Sequence, residues 1–181
     1  PSFKIMARFK DFYLSEMTGK KYDFSCLLFD FPETISKEIQ TWGRFNIDDD
    51  ILAKDGRENE THVTVLYGIH TGNASECFSI LNIAKSLALL KPFEITLGAV
   101  TKFDASDCDV LKIDVFGSEL HKLRRYAELG IENTQSHPEY KPHITLAYVE
   151  KNSCDHFIGS DFFAGRIVVV NALDFSSKDG T

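Results

Sequence analysis

Positive charge is what this sequence is short of. Lys and Arg total 20 against 27 Asp and Glu, and the formal net charge is −7. A surface that grips long nucleic acid through its phosphates has to be basic. A long duplex or large RNA is therefore not the expected partner, while a small nucleotide or short oligonucleotide held by a local site stays open. Apolar runs are short as well. The longest β-branched run, Ile167 to Val170, falls far below the ~20 residues that span a bilayer. No stretch reads as a secretory signal, and no membrane partner is expected. Cysteine is sparse and unpaired: Cys26, Cys77, Cys108 and Cys154 are scattered, with no Cys-x-x-Cys. Free buried thiols in a reducing, cytoplasmic compartment are the expectation.

Tryptophan occurs once and phenylalanine 15 times, so the core is expected to be built on Phe. A hydrophobic share of 43% over 181 residues suits one domain or two intimately packed lobes, and a monomer is expected.

Two stretches stand out. Thr61-His62-Val63-Thr64-Val65-Leu66-Tyr67 has a near copy in Pro142-His143-Ile144-Thr145-Leu146-Ala147-Tyr148. Both are rich in Val, Ile, Thr and Tyr, which favour strands. Alternate residues of a strand share a face. His62 and Thr64 should therefore point one way, with Val63, Val65 and Tyr67 opposite; His143 and Thr145 should oppose Ile144, Leu146 and Tyr148. A His-x-Thr triplet alone is cheap, and a single such His is as readily a core histidine. The doubling, the shared parity and the Tyr at the same offset make this pair specific.

Along the chain, Phe3 to Met17 carries apolar residues at helical spacing and is expected to be an amphipathic helix. Tyr22 to Phe31 reads as a strand ended by Pro32. Thr34 to Trp42 reads as a short helix with Ile35, Ile39 and Trp42 on one face. The acidic stretch from Asn46 to Glu60 lacks the alternating acids of a calcium loop and is expected to be a solvated loop, with a lid as the alternative. After the first motif strand, His62 to Ile69, come a helix from a Ser75 cap to Leu90, a hairpin of Phe93 to Phe103 and Val110 to Phe116, and a helix from Ser118 to Leu129. The second motif strand runs from His143 to Glu150, and a strand or strand pair spans Phe163 to Phe175. Each half thus holds a strand, a helix and a motif strand. Residues 1–20 form an N-terminal helix or extension, and residues 21–181 a single bilobal domain.

The motif pair resembles the 2H phosphoesterase superfamily, also called the LigT-like or cyclic phosphodiesterase-like family. The likeness rests on His62-Val63-Thr64-Val65, on Tyr140-Lys141-Pro142-His143-Ile144-Thr145-Leu146 and on the order of elements. It covers about Tyr22 to Phe175. Glu60-Thr61 stands before His62 where the second copy has Pro142. The resemblance implies an α+β, bilobal fold: two facing antiparallel sheets form a cleft, with helices outside and one His-x-Thr strand from each lobe in the cleft floor. It also implies catalytic roles for His62, Thr64, His143 and Thr145.

Imidazole titrates near neutrality, so one His can deprotonate a nucleophile while the other protonates a leaving oxygen. The two threonines can donate to non-bridging phosphate oxygens. This scheme needs no metal and no cofactor. A metal alternative would draw on His137 or Asp155, but His-x-Thr is poor ligand spacing. Phe24, Phe103 and Tyr140 are base-stacking candidates set against a core role, as is Trp42. His70, His121, His137 and His156 are expected to have no role. The leading expectation is a metal-independent phosphodiesterase acting on a cyclic or 2′-5′-linked nucleotide, including nucleotides of immune signalling. An RNA end-processing cyclic phosphodiesterase or 2′-5′ RNA ligase is the alternative. A non-catalytic nucleotide-binding module is the reading from another class.

Overall fold

The computed structural model describes residues 4–6, 24–87, 89–134 and 139–176. In chain order the elements are β1 (Lys4–Met6), β2 (Ser25–Asp30), α1 (Glu33–Asn46), β3 (Leu52–Arg57), β4 (His62–Ile69), α2 (Ala74–Leu87), β5 (Phe93–Asp104), β6 (Asp109–Phe116), α3 (Ser118–Gly130), β7 (His143–Val149), β8 (Ile167–Val170) and β9 (Ala172–Ser176). One sheet has the order β1-β9-β2-β4, the other β3-β7-β6-β5-β8. Neighbours are antiparallel except β1, which runs parallel to β9.

The helix expected over Phe3 to Met17 is corrected at Lys4–Met6, which forms the edge strand β1. Residues 7–23, which hold the rest of that segment and the expected start of the next strand at Tyr22, lie outside the described residues. The acidic stretch is corrected too. Asp49–Ile51 forms a short 3-10 turn, and Leu52–Arg57 joins the second motif strand as an edge strand. No alternation marks it, because only its ends pair, Leu52 with Val149 and Arg57 with Ala147. Arg57 donates to the Asp49 carboxylate and the Ile47 carbonyl, folding the stretch onto itself.

Capping chemistry fixes the start of α2. The Asn73 side chain accepts from the Glu76 N–H at 3.0 Å, and the Glu76 carboxylate accepts from the Asn73 N–H at 3.1 Å. This reciprocal box satisfies amides the helix leaves open, so Asn73, not Ser75, holds the cap. At the end of β4, Gly68 has φ +83° and lies against the Thr134 carbonyl, where a Cβ would collide. Glycine alone meets both demands, and the Thr134 N–H donates to the Gly68 carbonyl at 2.9 Å.

The two strand–helix–strand units interlock. Helix α1, from the first unit, packs on β7 of the second; α3, from the second, packs on β4 of the first. Strands β8 and β9, separated by Asn171, belong to different sheets, so the chain crosses between lobes there. Beneath both sheets runs one continuous apolar core, with Phe29, Leu66, Leu111, Ile113, Leu120 and Ile144 fully buried. Each such side chain contributes roughly 1.5–3 kcal/mol by leaving water. Trp42, half-buried, packs against this core, edge-on to Phe157 and Phe163. Among the described residues no helix is long and apolar enough to cross a membrane.

Candidate active site

The sequence echo is an echo in three dimensions. In β4, Val63 and Val65 are buried while His62 and Thr64 are half-buried; in β7, Ile144 and Leu146 are buried while His143 and Thr145 are half-buried. Cross-strand partners repeat as well: Asp30 stands opposite His62 on β2, and Asp114 opposite His143 on β6. Each motif strand then carries one extra residue relative to its partner. On β4, Thr64 faces Leu28 and Leu66 faces Leu27, leaving Val65 over; on β7, Thr145 faces Lys112 and Ala147 faces Leu111, leaving Leu146 over. These are β-bulges at matching positions.

The bulges correct the expected place of the tyrosines. Past an extra residue the alternation shifts by one. Val65 and Leu66 are both buried, and Tyr67 is 37% exposed. Tyr148 pairs with Val110, two residues from Lys112, and so shares the His143 face. Both tyrosines therefore lie on the histidine side and not beneath it.

A bulge strands backbone carbonyls, and each finds a donor. The Thr64 carbonyl accepts from the Tyr140 hydroxyl at 3.1 Å, and the Val65 carbonyl from the Arg124 guanidinium at 3.2 Å. The Leu146 carbonyl accepts from the Glu58 N–H at 3.0 Å. Arg124 also stands over the Tyr140 ring, 5.4 Å from its centre. Tyr140, a stacking candidate in sequence, is a strut between lobes, and burial pushes its phenol above the usual range.

The histidines are held alike. His62 Nδ1 lies 3.0 Å from the Glu60 carbonyl, and His143 Nδ1 lies 2.7 Å from the Lys141 carbonyl. A carbonyl only accepts, so in each ring Nδ1 carries the proton and Nε2 presents its lone pair when the ring is neutral. Strands β4 and β7 approach one another, and the charge of one ring is felt at the other. Burial lowers the His143 pKa below the usual imidazole value; the Lys141 carbonyl opposes this, and Lys112 and His62 add to it.

Sequence reasoning passed over Lys112. Its side chain lies on the His143 face, donates to Thr101 Oγ1 at 2.6 Å and to Asp114, and stands 4.3 Å over the Phe103 ring. The Phe103 ring meets His143 edge-on at 4.9 Å. Phe103 is thus at the site, in contact with these two groups. Phe24 stacks on His70 and meets the Tyr67 ring edge-on at 6.0 Å. Of the remaining histidines, His70 Nε2 is 2.8 Å from Thr134 Oγ1, His121 packs edge-on to Tyr140, and His156 lies on Phe157; His137 is outside the described residues.

Two groups of side chains have metal-compatible spacing among the described residues: His70 with Glu76 and Glu132, and Asp109 with Cys154 and Asp155. Neither includes a motif residue. Glu76 is engaged by backbone amides, while Asp109 and Asp155 take the Lys102 ammonium at 2.9 and 2.6 Å. All four cysteines are free; Cys154 is buried as expected, and Cys77 is exposed.

The model of the 2′-5′ RNA ligase superfamily matches residues 31–163. The chain belongs to that superfamily, the 2H phosphoesterases. Its α+β, bilobal LigT-like fold is shared with solved structures. Escherichia coli LigT, solved with 3′-AMP, has a TM-score of 0.62 at 17% identity, covering 80% of this chain and 83% of that one. The TT0787 protein of Thermus thermophilus gives 0.54 at 16% identity, with 84% and 83% covered. Kluyveromyces marxianus Usb1, solved with uridine monophosphate, gives 0.52 at 11% identity, with 72% and 73% covered. At these identities the likeness is one of fold. No curated protein matches the chain.

Proposed function

We propose that this 2H superfamily member is a metal-independent phosphodiesterase that cleaves a small cyclic or 2′-5′-linked nucleotide by paired-histidine acid–base catalysis. One observation carries the reading. Both motif histidines are pinned through Nδ1 to a backbone carbonyl two residues earlier, which leaves Nε2 as the proton-transfer atom on each side of the cleft. His143 takes the proton of the attacking water or ribose hydroxyl as its oxygen bonds phosphorus. The leaving oxygen parts from phosphorus and takes a proton from His62. Thr64 and Thr145 donate to the non-bridging oxygens as charge builds there. No step passes through a metal.

The substrate is small. A net charge of −7 disfavours a long polyanion. Immune-signalling nucleotides fall within this class. Two fold neighbours solved with mononucleotides support the size range, and membership of the 2′-5′ RNA ligase superfamily keeps RNA end processing as the second reading.

The test is a panel of 2′,3′-cyclic AMP, 2′-5′ oligoadenylate, cyclic dinucleotides and cyclic trinucleotides, with products resolved by chromatography. Cleavage of at least one is expected, abolished in a His62→Ala, His143→Ala double variant and retained in EDTA. Equal product from wild type and double variant would overturn the proposal.

A further inference from the structure

The sheet face that carries His143 continues past the motif into an apolar surface. His143 pairs directly with Asp114, and directly paired residues share a face. Phe116 lies two residues beyond Asp114 on β6, so it shares that face too. It stands diagonal to His143, roughly 7–8 Å away between backbones. Its row continues across the sheet: Thr96 of β5 is opposite Phe116, and Ile167 of β8 is opposite Thr96. Val169, two residues from Ile167, lies on the same face. The residues between them, Val115, Leu97 and Val168, are buried in the core. By contrast Phe116 is 60% exposed, Ile167 61% and Val169 51%. A contiguous apolar surface left in water beside a cleft marks a place where a ligand binds.

Gly98 sets where the Phe116 ring sits. A Cβ at Gly98 would stand 2.6 Å from that ring and 3.1 Å from the Asp114 Cβ. The bare backbone of β5, bulged between Leu97 and Val100, therefore lets the ring lie against the sheet beside Asp114, with most of its surface open. Phe103, beyond Lys112 on the same face, has its ring engaged by the Lys112 ammonium and the His143 edge. Resting on the proposed function, we infer that Phe116 is the stacking platform for the nucleobase of the nucleotide whose phosphate lies at His143, with Ile167 and Val169 as its apolar flank. The surface is continuous with the face of the catalytic histidine, and the diagonal from His143 is a length that a ribose bridges. Every base has a flat π-face, so an aromatic platform holds bases with little regard to sequence.

The experiment is a titration of wild type, Phe116→Ala and Phe116→Tyr with two probes, 2′-AMP and ribose 5-phosphate, followed by NMR at the His143 ring. Phe116→Ala should weaken 2′-AMP binding roughly 5- to 100-fold and leave ribose 5-phosphate binding as in wild type; Phe116→Tyr should restore 2′-AMP. On the substrates of the panel the loss should appear as a raised KM. Equal 2′-AMP affinity in wild type and Phe116→Ala, equal losses for both probes, or no 2′-AMP binding in wild type overturns the inference. So does a wild-type dimer in sedimentation that Phe116→Ala breaks while 2′-AMP affinity stays, since the face then belongs to a second copy. Should Phe116→Ala not fold, Phe116→Trp serves: its added indole fluorescence should be quenched by 2′-AMP and not by ribose 5-phosphate, and an unquenched signal counts against the inference. Absence of turnover in wild type would sink the proposed function, whereas these titrations read Phe116 without any cleavage.

Discussion

The Tyr140 hydroxyl donates to the Thr64 backbone carbonyl at 3.1 Å. Tyr140 lies just ahead of His143, and Thr64 is the hydroxyl residue of the other motif. One hydrogen bond therefore ties the approach to the second histidine to the bulge of the first motif strand. Tyr140→Phe removes the donor and leaves a bulge carbonyl without it, a loss of roughly 1–2 kcal/mol. Urea unfolding should show that loss with an unchanged m-value.

The threonines are expected to act on the transition state more than on substrate binding. Thr64→Ala and Thr145→Ala should each lower kcat by on the order of 10- to 1,000-fold with little change in KM. Steady-state kinetics on the best substrate of the panel decides this. A rise in KM at constant kcat would place the hydroxyls in ground-state binding instead.

The pH dependence has a definite sign at His143. Burial, with Lys112 and His62, lowers its folded pKa below the unfolded value of 6.5. Between the two values the unfolded chain binds more protons, so stability rises with pH across that window. It is lost as pH falls below about 6.5 toward the folded value. The acid limb of kcat/KM should accordingly lie below the usual imidazole range. His143→Asn should flatten the stability profile in this window, as followed by thermal unfolding at stepped pH.

Away from the cleft, Asp109 supplies a second, more acidic signature. Burial opposes its ionisation, but the Lys102 ammonium, the Asn152 N–H and Lys151 outweigh burial and hold it at about 2 against an unfolded 3.8. Its contribution is present above the unfolded value and is lost as pH falls from there through about 2. Asp109→Asn takes the buried carboxylate from Lys102, which keeps Asp155 at 2.6 Å, and should lower stability near neutral pH. Acid unfolding of the variant should be less steep between pH 4 and pH 2.

Much of the site is written in the local sequence. His62-Val63-Thr64 and His143-Ile144-Thr145 alternate hydroxyl and imidazole against apolar residues, and a period of two needs nothing beyond the strand itself to sort faces. Helix α3 was equally legible, because Leu120, Leu123 and Ala127 form a stripe that only a helix aligns. Tertiary structure decided the rest. The bulges at Val65 and Leu146 exist only in relation to β2 and β6, whose register no local pattern reports, and they alone turn Tyr67 and Tyr148 to the histidine side. Leu52–Arg57 became a strand because β7 offered an open edge, not because of its own composition. Lys112 reads in sequence as an ordinary charged residue of an alternating strand. It joins the site only when pairing sets it opposite Thr145 and beside Asp114, since long-range register is a property of two strands and not of one.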